Sequence, residues 1–254
     1  MAMYHIAVKY CSRRKGQSAG AVASYRSGQR LEDHYYGEVH DFTNKGGIVH
    51  SWIQLPLNAP LEYFNRETLW NAVEHAEKRR DARLAREVEG ALPKELKLDE
   101  HIRIVEEYVA SNFVGDGMCA DISIHDNGNG NPHFHCLLTT RNVSEDGFGN
   151  KNREWNKREH LERWRREWAK IQNRELEQRG LEPVSHECYA VQDFGCAIER
   201  TPTIHRGRQA QKLDRVGIET DRMKEYREIV EHNRNLEREL QQKRECQRNR
   251  GRGR

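Results

Sequence analysis

The chain has no apolar run long enough to cross a membrane, and hydrophobic residues make up only 35% of its 254 residues. A membrane-spanning helix needs about 20 consecutive apolar residues. The N-terminal residues also lack the charged and apolar pattern of a secretory signal peptide. We therefore expect a cytoplasmic protein that has no membrane partner.

Two familiar motifs are missing as well. The six cysteines form no Cys-x-x-Cys pair, which predicts free thiols in a reducing compartment rather than a disulfide framework or a zinc knuckle. No Gly-x-x-x-x-Gly-Lys-Ser/Thr motif occurs, so this stretch is not expected to contain a helicase module. The cysteines are Cys11, Cys119, Cys136, Cys188, Cys196 and Cys246.

Acidic residues are absent from residues 1–31, although the whole chain carries a net charge of only +3. This segment contains the basic loop Arg13-Arg14-Lys15 and also Arg26. The last twelve residues hold six basic residues against one glutamate. Clusters of this kind bind a phosphate backbone, although a solvated tail explains the C-terminal cluster equally well. The predicted DNA contacts are Arg13, Arg14, Lys15 and Arg26.

Two histidines separated by one apolar residue stand in residues 131–138, Asn-Pro-His-Phe-His-Cys-Leu-Leu. The apolar run predicts a β-strand, on which alternate side chains share a face. His133 and His135 then point the same way, and Phe134 and Cys136 point to the opposite face.

A third histidine, His125, ends an alternating run at 120–125, and the connector 126–132 consists of turn-forming residues. A hairpin closing there brings His125 across from the other two histidines. Three imidazoles at one point can hold a divalent metal. Since Cys136 faces away, coordination positions remain open for water or substrate. A phosphodiester suits them, because its non-bridging oxygens can occupy open positions.

Residues 18–28 predict a helix, with Ser18 as N-cap, several alanines, and Gly28 at the end. Tyr25 lies near that end, beside Arg26. A tyrosine in such a place is most often a packing residue. If Tyr25 is not a packing residue, it is the candidate nucleophile. The alternative nucleophile is a metal-bound water. A phenol ordinarily has a pKa of about 10, so it needs the metal, a cation or a base to react near neutral pH.

Residues 86–93 predict a strand that Pro93 ends. Alternation places Glu87 and Glu89 on one face, where they either form a solvated edge or aim at the metal or the nucleophile. A hairpin is expected around residues 44–47. Trp164 and Trp168, one helical turn apart, are expected to dock their helix on the core rather than to stack on bases. Helices are predicted over residues 61–84, 99–113, 152–180 and 209–248.

Taken together and in this order, these motifs resemble those of the MobA/MobL family of plasmid mobilisation proteins, within the HUH endonuclease superfamily. The similarity covers roughly residues 2–210. The stretches that carry it are Met3-Tyr4-His5, Gln17-Ser18-Ala19 with Ala23-Ser24-Tyr25-Arg26-Ser27-Gly28, Arg86-Glu87-Val88-Glu89-Gly90-Ala91-Leu92-Pro93, His125-Asp126 with Gly130-Asn131-Pro132-His133-Phe134-His135, and Thr201-Pro202-Thr203-Ile204-His205.

The resemblance implies roles for individual residues. Tyr25 would be the nucleophile, and Glu87, in preference to Glu89, the base or orienting group. Tyr35 and Tyr36 lie past Gly28, which implies a single-tyrosine enzyme. The implied metal ligands are His125, His133 and His135.

The resemblance also implies a reaction and its partners. The protein would nick one strand of plasmid DNA at the origin of transfer by transesterification, keep a 5′-phosphotyrosyl bond, and rejoin the strand after transfer. The implied cofactor is a divalent metal, manganese or magnesium, with zinc or nickel as alternatives. Accessory mobilisation proteins and a type IV secretion coupling protein are further implied partners.

The expected fold is α+β, a central antiparallel sheet flanked by helices, followed by a long charged C-terminal helix. Residues 1–208 would form the nicking domain. Residues 209–254 would form a helical extension that lies along DNA or contacts accessory proteins. Two other functions remain open from the sequence: a metal-dependent phosphodiesterase that uses water, and a DNA-binding module with structural zinc.

Overall fold

The computed structural model describes residues 4–187 and 199–251. Met3, Cys188 and Cys196 lie outside the described residues, as do the basic side chains from residue 243 onward. The chain divides into two compact units, Met1–His186 and Glu187–Arg254. The predicted functional division at 208/209 stays a prediction. Among the described residues, no helix combines the length and apolar composition needed to cross a bilayer.

The strands of the first unit are β1 (Ile6–Ser12), β2 (Arg30–Asp33), β3 (Glu38–Asp41), β4 (Ile48–Gln54), β5 (Arg83–Ala91), β6 (Ala120–His125), β7 (His133–Leu138), β8 (Arg141–Ser144) and β9 (Gly147–Lys151). Five of them form an antiparallel sheet with the order β1-β5-β7-β6-β4. The histidine-bearing strands β6 and β7 are therefore central, and β5, which carries Glu87, lies directly beside β7.

Helices flank both faces of this sheet, which confirms the predicted α+β fold. The first unit contains α1 (Ala19–Ser27), α2 (Arg66–Ala76), α3 (Leu98–Val109) and α4 (Arg158–Gln178). A π-helical turn, Ala110–Val114, follows α3 directly. The second unit contains α5 (Arg208–Arg215) and the charged α6 (Asp221–Gly251).

One face of the sheet is largely apolar. Phe134, Cys136 and Ile122 point to this face and pack against α3 and α4 in a single buried cluster. Gly90 lies opposite Phe134 in the register, and a Cβ at Gly90 would come within 2.3 Å of the Phe134 ring. Trp164 and Trp168 are buried in the same cluster, so the prediction that they dock their helix on the core is confirmed.

Helices α1 and α2 cover part of the opposite face. The small residues Ala19 and Ala23 of α1 allow it to lie close to the sheet, where they join Leu137 in a second buried cluster. Helix α2 is tied to β6 by a buried ion pair, in which the Arg66 guanidinium donates to the Asp121 carboxylate at 2.8 Å.

Three details of the predicted elements are wrong. The helix expected over residues 61–84 ends at Ala76, and Arg83 already begins a strand. The early hairpin is the β2–β3 ribbon, with its turn at residues 34–37 rather than 44–47. The C-terminal region forms two helices, since the chain turns at Gly217, which has a positive φ of 82°.

In the second unit, the Thr201–His205 motif is fastened to α6. The side chain of Asn233 is buried. Its Oδ1 accepts from the Thr201 amide at 2.9 Å, and its Nδ2 donates to the Thr201 carbonyl at 2.7 Å. Arg222 donates to the His205 carbonyl. These contacts hold an extended segment beside the helix.

Candidate metal centre

The three histidines meet at one end of the sheet. His125, the last residue of β6, pairs directly with His133, the first residue of β7, and His135 follows two residues later on the same face. One ligand nitrogen from each ring lies within 4.8 Å of the others. The hairpin that the alternation and turn residues predict therefore brings the triad together.

Each imidazole has one ring nitrogen engaged as a donor. Nδ1 of His133 lies 2.9 Å from the Asn131 carbonyl, Nδ1 of His135 lies 2.9 Å from Glu87 Oε1, and Nε2 of His125 lies 2.7 Å from the Arg26 carbonyl. An oxygen acceptor fixes the proton on the nitrogen that faces it. The second nitrogen of each ring then keeps its lone pair, which is how ligating histidines are oriented by outer partners.

The electrostatics favour neutral imidazoles. Burial lowers the pKa of His125 to about 4, and the neighbouring His135 and Lys45 act in the same direction. Burial also lowers the pKa of His135, although the hydrogen bond to Glu87 opposes it. Since only the neutral ring offers a lone pair, the donor set fits a divalent metal near neutral pH.

The acidic strand β5 supplies one carboxylate to the triad. Burial alone would raise the pKa of Glu87, but the hydrogen bond from His135 and the charge of Arg26 outweigh burial and lower the pKa to about 2. Glu87 is therefore ionised. Glu89 lies directly opposite His135 in the register, yet it forms an ion pair of 2.5 Å with Lys9.

Arg26, at the end of α1, links that helix to the triad. Its Nε lies 2.7 Å from Glu87 Oε1, and its Nη1 lies 3.5 Å from His135 Nε2. Its carbonyl accepts from His125. Arg26 thus contacts two histidines and their carboxylate, which places a positive charge at the edge of the centre.

Tyr25 is the residue before Arg26, and its side chain is 43% exposed. The Tyr25 ring meets the Phe42 ring edge-on at a centroid distance of 5.2 Å. The Lys45 ammonium lies 3.8 Å from the ring centroid, and the Arg26 guanidinium carbon lies 5.4 Å from it. The phenol ring therefore lies next in sequence to the residue that contacts the triad, and within cation–π distance of two cations.

The basic loop Arg13-Arg14-Lys15 lies at the opposite end of the sheet from the triad. It follows the end of β1, where Ser12 pairs with Arg83, whereas the triad lies level with Ala91 at the other end of β5. At about 3.3 Å per residue, the two ends are about 26 Å apart.

Within this loop, Arg14 and Lys15 are exposed but Arg13 is buried. The Arg13 guanidinium donates to the Glu74 carboxylate at 2.6 Å and to the Glu77 carbonyl. Its charge is neutralised inside the protein, so this structure does not favour the predicted phosphate contact for Arg13.

Two contributors to the centre were missed by sequence reasoning. The Arg26 carbonyl and the Lys45 ammonium come from segments far from the histidines in the chain, and no local pattern marks either of them. For Arg26, the one available signal was its position next to Tyr25, the candidate nucleophile.

The fold and the centre together define a class of protein. Histidines on adjacent central strands of an antiparallel sheet, flanked by helices, form the architecture expected of the HUH superfamily. The chain belongs to the MobA/MobL family, whose model matches residues 17–216.

Two curated relatives align with most of the chain. It is 30% identical over 277 aligned positions to a probable mobilization protein MobA of Bifidobacterium longum, an alignment that covers 92% of this chain and 48% of the relative. It is 33% identical over 268 aligned positions to the mobilization protein MobL of Acidithiobacillus ferridurans, covering 91% of this chain and 69% of that protein. The chain therefore spans about half the length of the MobA relative.

A solved structure described as "Molecular Basis of Vancomycin Resistance Transfer in Staphylococcus aureus" is also similar. It superposes with a TM-score of 0.70 at 35% sequence identity and covers 74% of this chain and 100% of that one. This likeness supports the α+β fold described above.

Proposed function

We propose that the chain is a DNA relaxase that nicks one strand at a plasmid origin of transfer. Tyr25 is the nucleophile, and the triad of His125, His133 and His135 holds a divalent metal. Membership of the MobA/MobL family supports the class of function. The geometry around Arg26 supports the assignment of the nucleophile.

The observation that carries the proposal is the attachment of α1 to the triad. Arg26 accepts a hydrogen bond from His125 through its carbonyl and pairs with Glu87 through its guanidinium. Because Tyr25 is the adjacent residue, this attachment holds the phenol-bearing end of α1 at the metal centre.

The protein groups divide the work as follows. Glu87 holds the His135 ring in one tautomer and keeps Arg26 in place. Arg26, whose side chain is 23% exposed beside Glu87, offers guanidinium N–H donors to the phosphate oxygens. A divalent metal held by His125, His133 and His135 would supply Lewis-acid stabilisation of the charge on the phosphate. Manganese or magnesium is the proposed ion, with zinc or nickel as alternatives.

In the proposed reaction, the Tyr25 oxygen forms a bond to phosphorus as the bond from phosphorus to the 3′-oxygen breaks. The phenol proton passes to water or to a base, and the departing 3′-oxygen takes up a proton. The product is a 5′-phosphotyrosyl ester and a free 3′-hydroxyl. The reverse reaction rejoins the strand, since the phosphotyrosyl ester keeps the bond energy that hydrolysis would lose.

The proposed substrate is single-stranded DNA at the origin of transfer. Exposed Arg14 and Lys15 remain candidate phosphate contacts about 26 Å from the triad. Residues 1–208 are the proposed nicking domain. We propose that residues 209–254 contact DNA or accessory mobilisation proteins, and that a type IV coupling protein receives the complex.

The test is to incubate the full chain with single-stranded oligonucleotides that tile the origin of transfer, with Mn²⁺ and separately with EDTA. The expected result is a metal-dependent covalent adduct that peptide mapping assigns to Tyr25. Cleavage at full rate without any adduct would instead identify a nuclease that uses water. Unfolding on chelation would identify a structural zinc protein.

A further inference from the structure

Lys45 lies against the ring of Tyr25 although it comes from a separate loop. Its ammonium nitrogen is 3.8 Å from the ring centroid, within the range of a cation–π contact. The same nitrogen donates to the Tyr25 carbonyl at 2.6 Å. The Lys45 amide donates to the Phe42 carbonyl at 2.9 Å, and Phe42 itself packs on the Tyr25 ring. Lys45 is thus held at one defined place on the phenol.

The loop that carries Lys45 is joined to the histidine hairpin. The Gly47 carbonyl accepts from the amide of Asp126, the residue after His125, at 2.8 Å. Gly47 has a positive φ of 80°, and a Cβ there would come within 1.8 Å of the Asn127 side chain. This close approach connects the segment 42–47 to the metal hairpin on one side and to Tyr25 on the other.

No carboxylate pairs with Lys45 among the residues that the structure describes. The neighbouring cation Arg26 differs in this respect, because Glu87 neutralises it at 2.7 Å. Burial and the charge of Arg26 lower the pKa of Lys45 to about 8. This is the result expected for an ammonium that lacks an anionic partner and faces another cation. The site therefore has an unbalanced positive charge on the face of an exposed phenol.

We propose that Lys45 is a positioning residue that acts through Tyr25: its ammonium fixes the ring beside the metal centre and stabilises the negative charge that develops on the phenol oxygen. Part of that charge spreads into the ring, where the ammonium lies. The inference rests on the proposed role of Tyr25 as nucleophile. Lys45 would assist both directions of the reaction, because Tyr25 attacks as a phenolate and leaves as one.

The first experiment needs no DNA. N-acetylimidazole acylates phenols: the phenol oxygen bonds to the acyl carbon, the carbon–nitrogen bond breaks, and imidazole leaves with the proton. Mass spectrometry would measure acylation of Tyr25 in the full chain against Tyr35. Tyr35 is a matched internal control, since it is 46% exposed and has the Arg13 guanidinium 3.9 Å from its ring centroid.

Lys45→Met keeps much of the aliphatic stem and removes the charge. The expected result is a fall of roughly tenfold in Tyr25 acylation relative to Tyr35, the order of effect that a unit charge has on a neighbouring charge in a partly exposed site. Lys45→Arg should retain most of the reactivity. Lys170→Met changes an exposed lysine on α4, which packs on the opposite face of the sheet from α1, and should leave the reactivity unchanged. Unchanged Tyr25 acylation in Lys45→Met would overturn the proposal, as would an equal fall in Lys45→Met and Lys45→Arg.

The second experiment measures adduct formation with the origin oligonucleotides for the same three variants. Lys45→Met should slow adduct formation by a factor similar to its loss of acylation, and Lys45→Arg should restore the rate. If the wild-type chain forms no adduct, the relaxase proposal fails, yet the acylation result still decides whether Lys45 acts on Tyr25. A normal adduct rate in Lys45→Met would overturn the role of Lys45 while the relaxase proposal stands.

Discussion

The carbonyl oxygen of Arg26 lies 2.7 Å from Nε2 of His125, across 99 residues of sequence. Through this bond the last turn of α1 is fixed to the histidine hairpin, and the proton on His125 is held on the nitrogen that faces the carbonyl. One backbone group therefore sets the tautomer of a proposed metal ligand and the place of the neighbouring Tyr25.

Tyr25→Phe should abolish the covalent adduct and leave the fold intact. Phenylalanine keeps the edge-on packing against Phe42 and removes only an exposed hydroxyl, so the free energy of unfolding should change by no more than about 0.5 kcal/mol. Gel electrophoresis of the oligonucleotide reaction and urea unfolding would measure the two effects. Tyr35→Phe is the control and should form the adduct normally. If Tyr25→Phe still cleaves the oligonucleotide at the wild-type rate, the covalent mechanism is wrong.

Glu87→Gln should weaken metal binding without removing a ligand. The amide can still accept from His135 Nδ1, but it no longer carries the charge that pairs with Arg26. Loss of such an outer partner typically costs 10- to 100-fold in metal affinity. Isothermal titration with Mn²⁺ would measure the change. Glu89→Gln is the matched control, since Glu89 pairs with Lys9 instead, and an equal loss in both variants would contradict the special position of Glu87.

Protonation of His125 should destabilise the metal-free fold in mildly acidic solution. Its pKa is lowered from an ordinary 6.5 to about 4 in the folded protein, so between these values the unfolded chain binds the proton more tightly. The stability that His125 contributes is present above about pH 6.5 and is lost as the pH falls towards 4. His101 and His135, whose pKa values are also lowered, act in the same direction.

Urea unfolding in EDTA at pH 7.5 and pH 5.5 would measure this loss. His125→Gln should lose less stability between the two pH values than the wild-type chain, because glutamine does not titrate. Glu87 does not contribute in this window, since its pKa lies at about 2. An identical loss in both proteins would show that His125 is protonated equally in the folded and unfolded states.

The histidine hairpin and α1 could be predicted from the sequence because their signals are local. Alternation placed His133 and His135 on one face, and the N-cap Ser18 and the terminal Gly28 bounded the helix as the structure has it. The helix predicted past Ala76 failed for a long-range reason. Arg13 captures the Glu77 carbonyl and its own amide donates to the Ala82 carbonyl, so this segment turns towards β1.

The candidate site shows the same difference between local sequence signals and long-range contacts. Sequence patterns indicated the three histidines, the acidic strand and the tyrosine. They did not reveal that Glu87 rather than Glu89 meets His135, because both residues share a face and only the contacts made by Lys9 and Arg26 separate them. Lys45 had no pattern at all, since its position depends on how two distant loops meet.

Asp121→Asn should destabilise the fold strongly, although the residue lies away from the triad. Asp121 is buried on β6, where it accepts from the Arg66 guanidinium and from the Trp70 indole at 2.8 Å. Breaking a buried ion pair by removing one charge typically costs 3–5 kcal/mol. Asp81→Asn is the control, because its pair with Arg79 is exposed and should be worth less than about 1 kcal/mol. Similar urea midpoints for the two variants would contradict this account.

Arg13→Gln and Arg14→Gln should separate stability from DNA binding within one loop. The Arg13 side chain is 3% exposed and pairs with a Glu74 side chain that is 1% exposed, so its loss leaves a buried carboxylate without its cation and should cost about 3–5 kcal/mol in the free energy of unfolding.

Arg14 is exposed, and its loss should leave stability within about 0.5 kcal/mol of wild type. If Arg14 contacts a phosphate, its variant should bind single-stranded DNA more weakly, with a salt slope smaller by about 0.7. Fluorescence anisotropy across a salt series would measure that slope. A reduced slope for Arg13→Gln under conditions where the variant is fully folded would reverse the assignment, because a guanidinium neutralised by Glu74 releases no counterion when DNA binds.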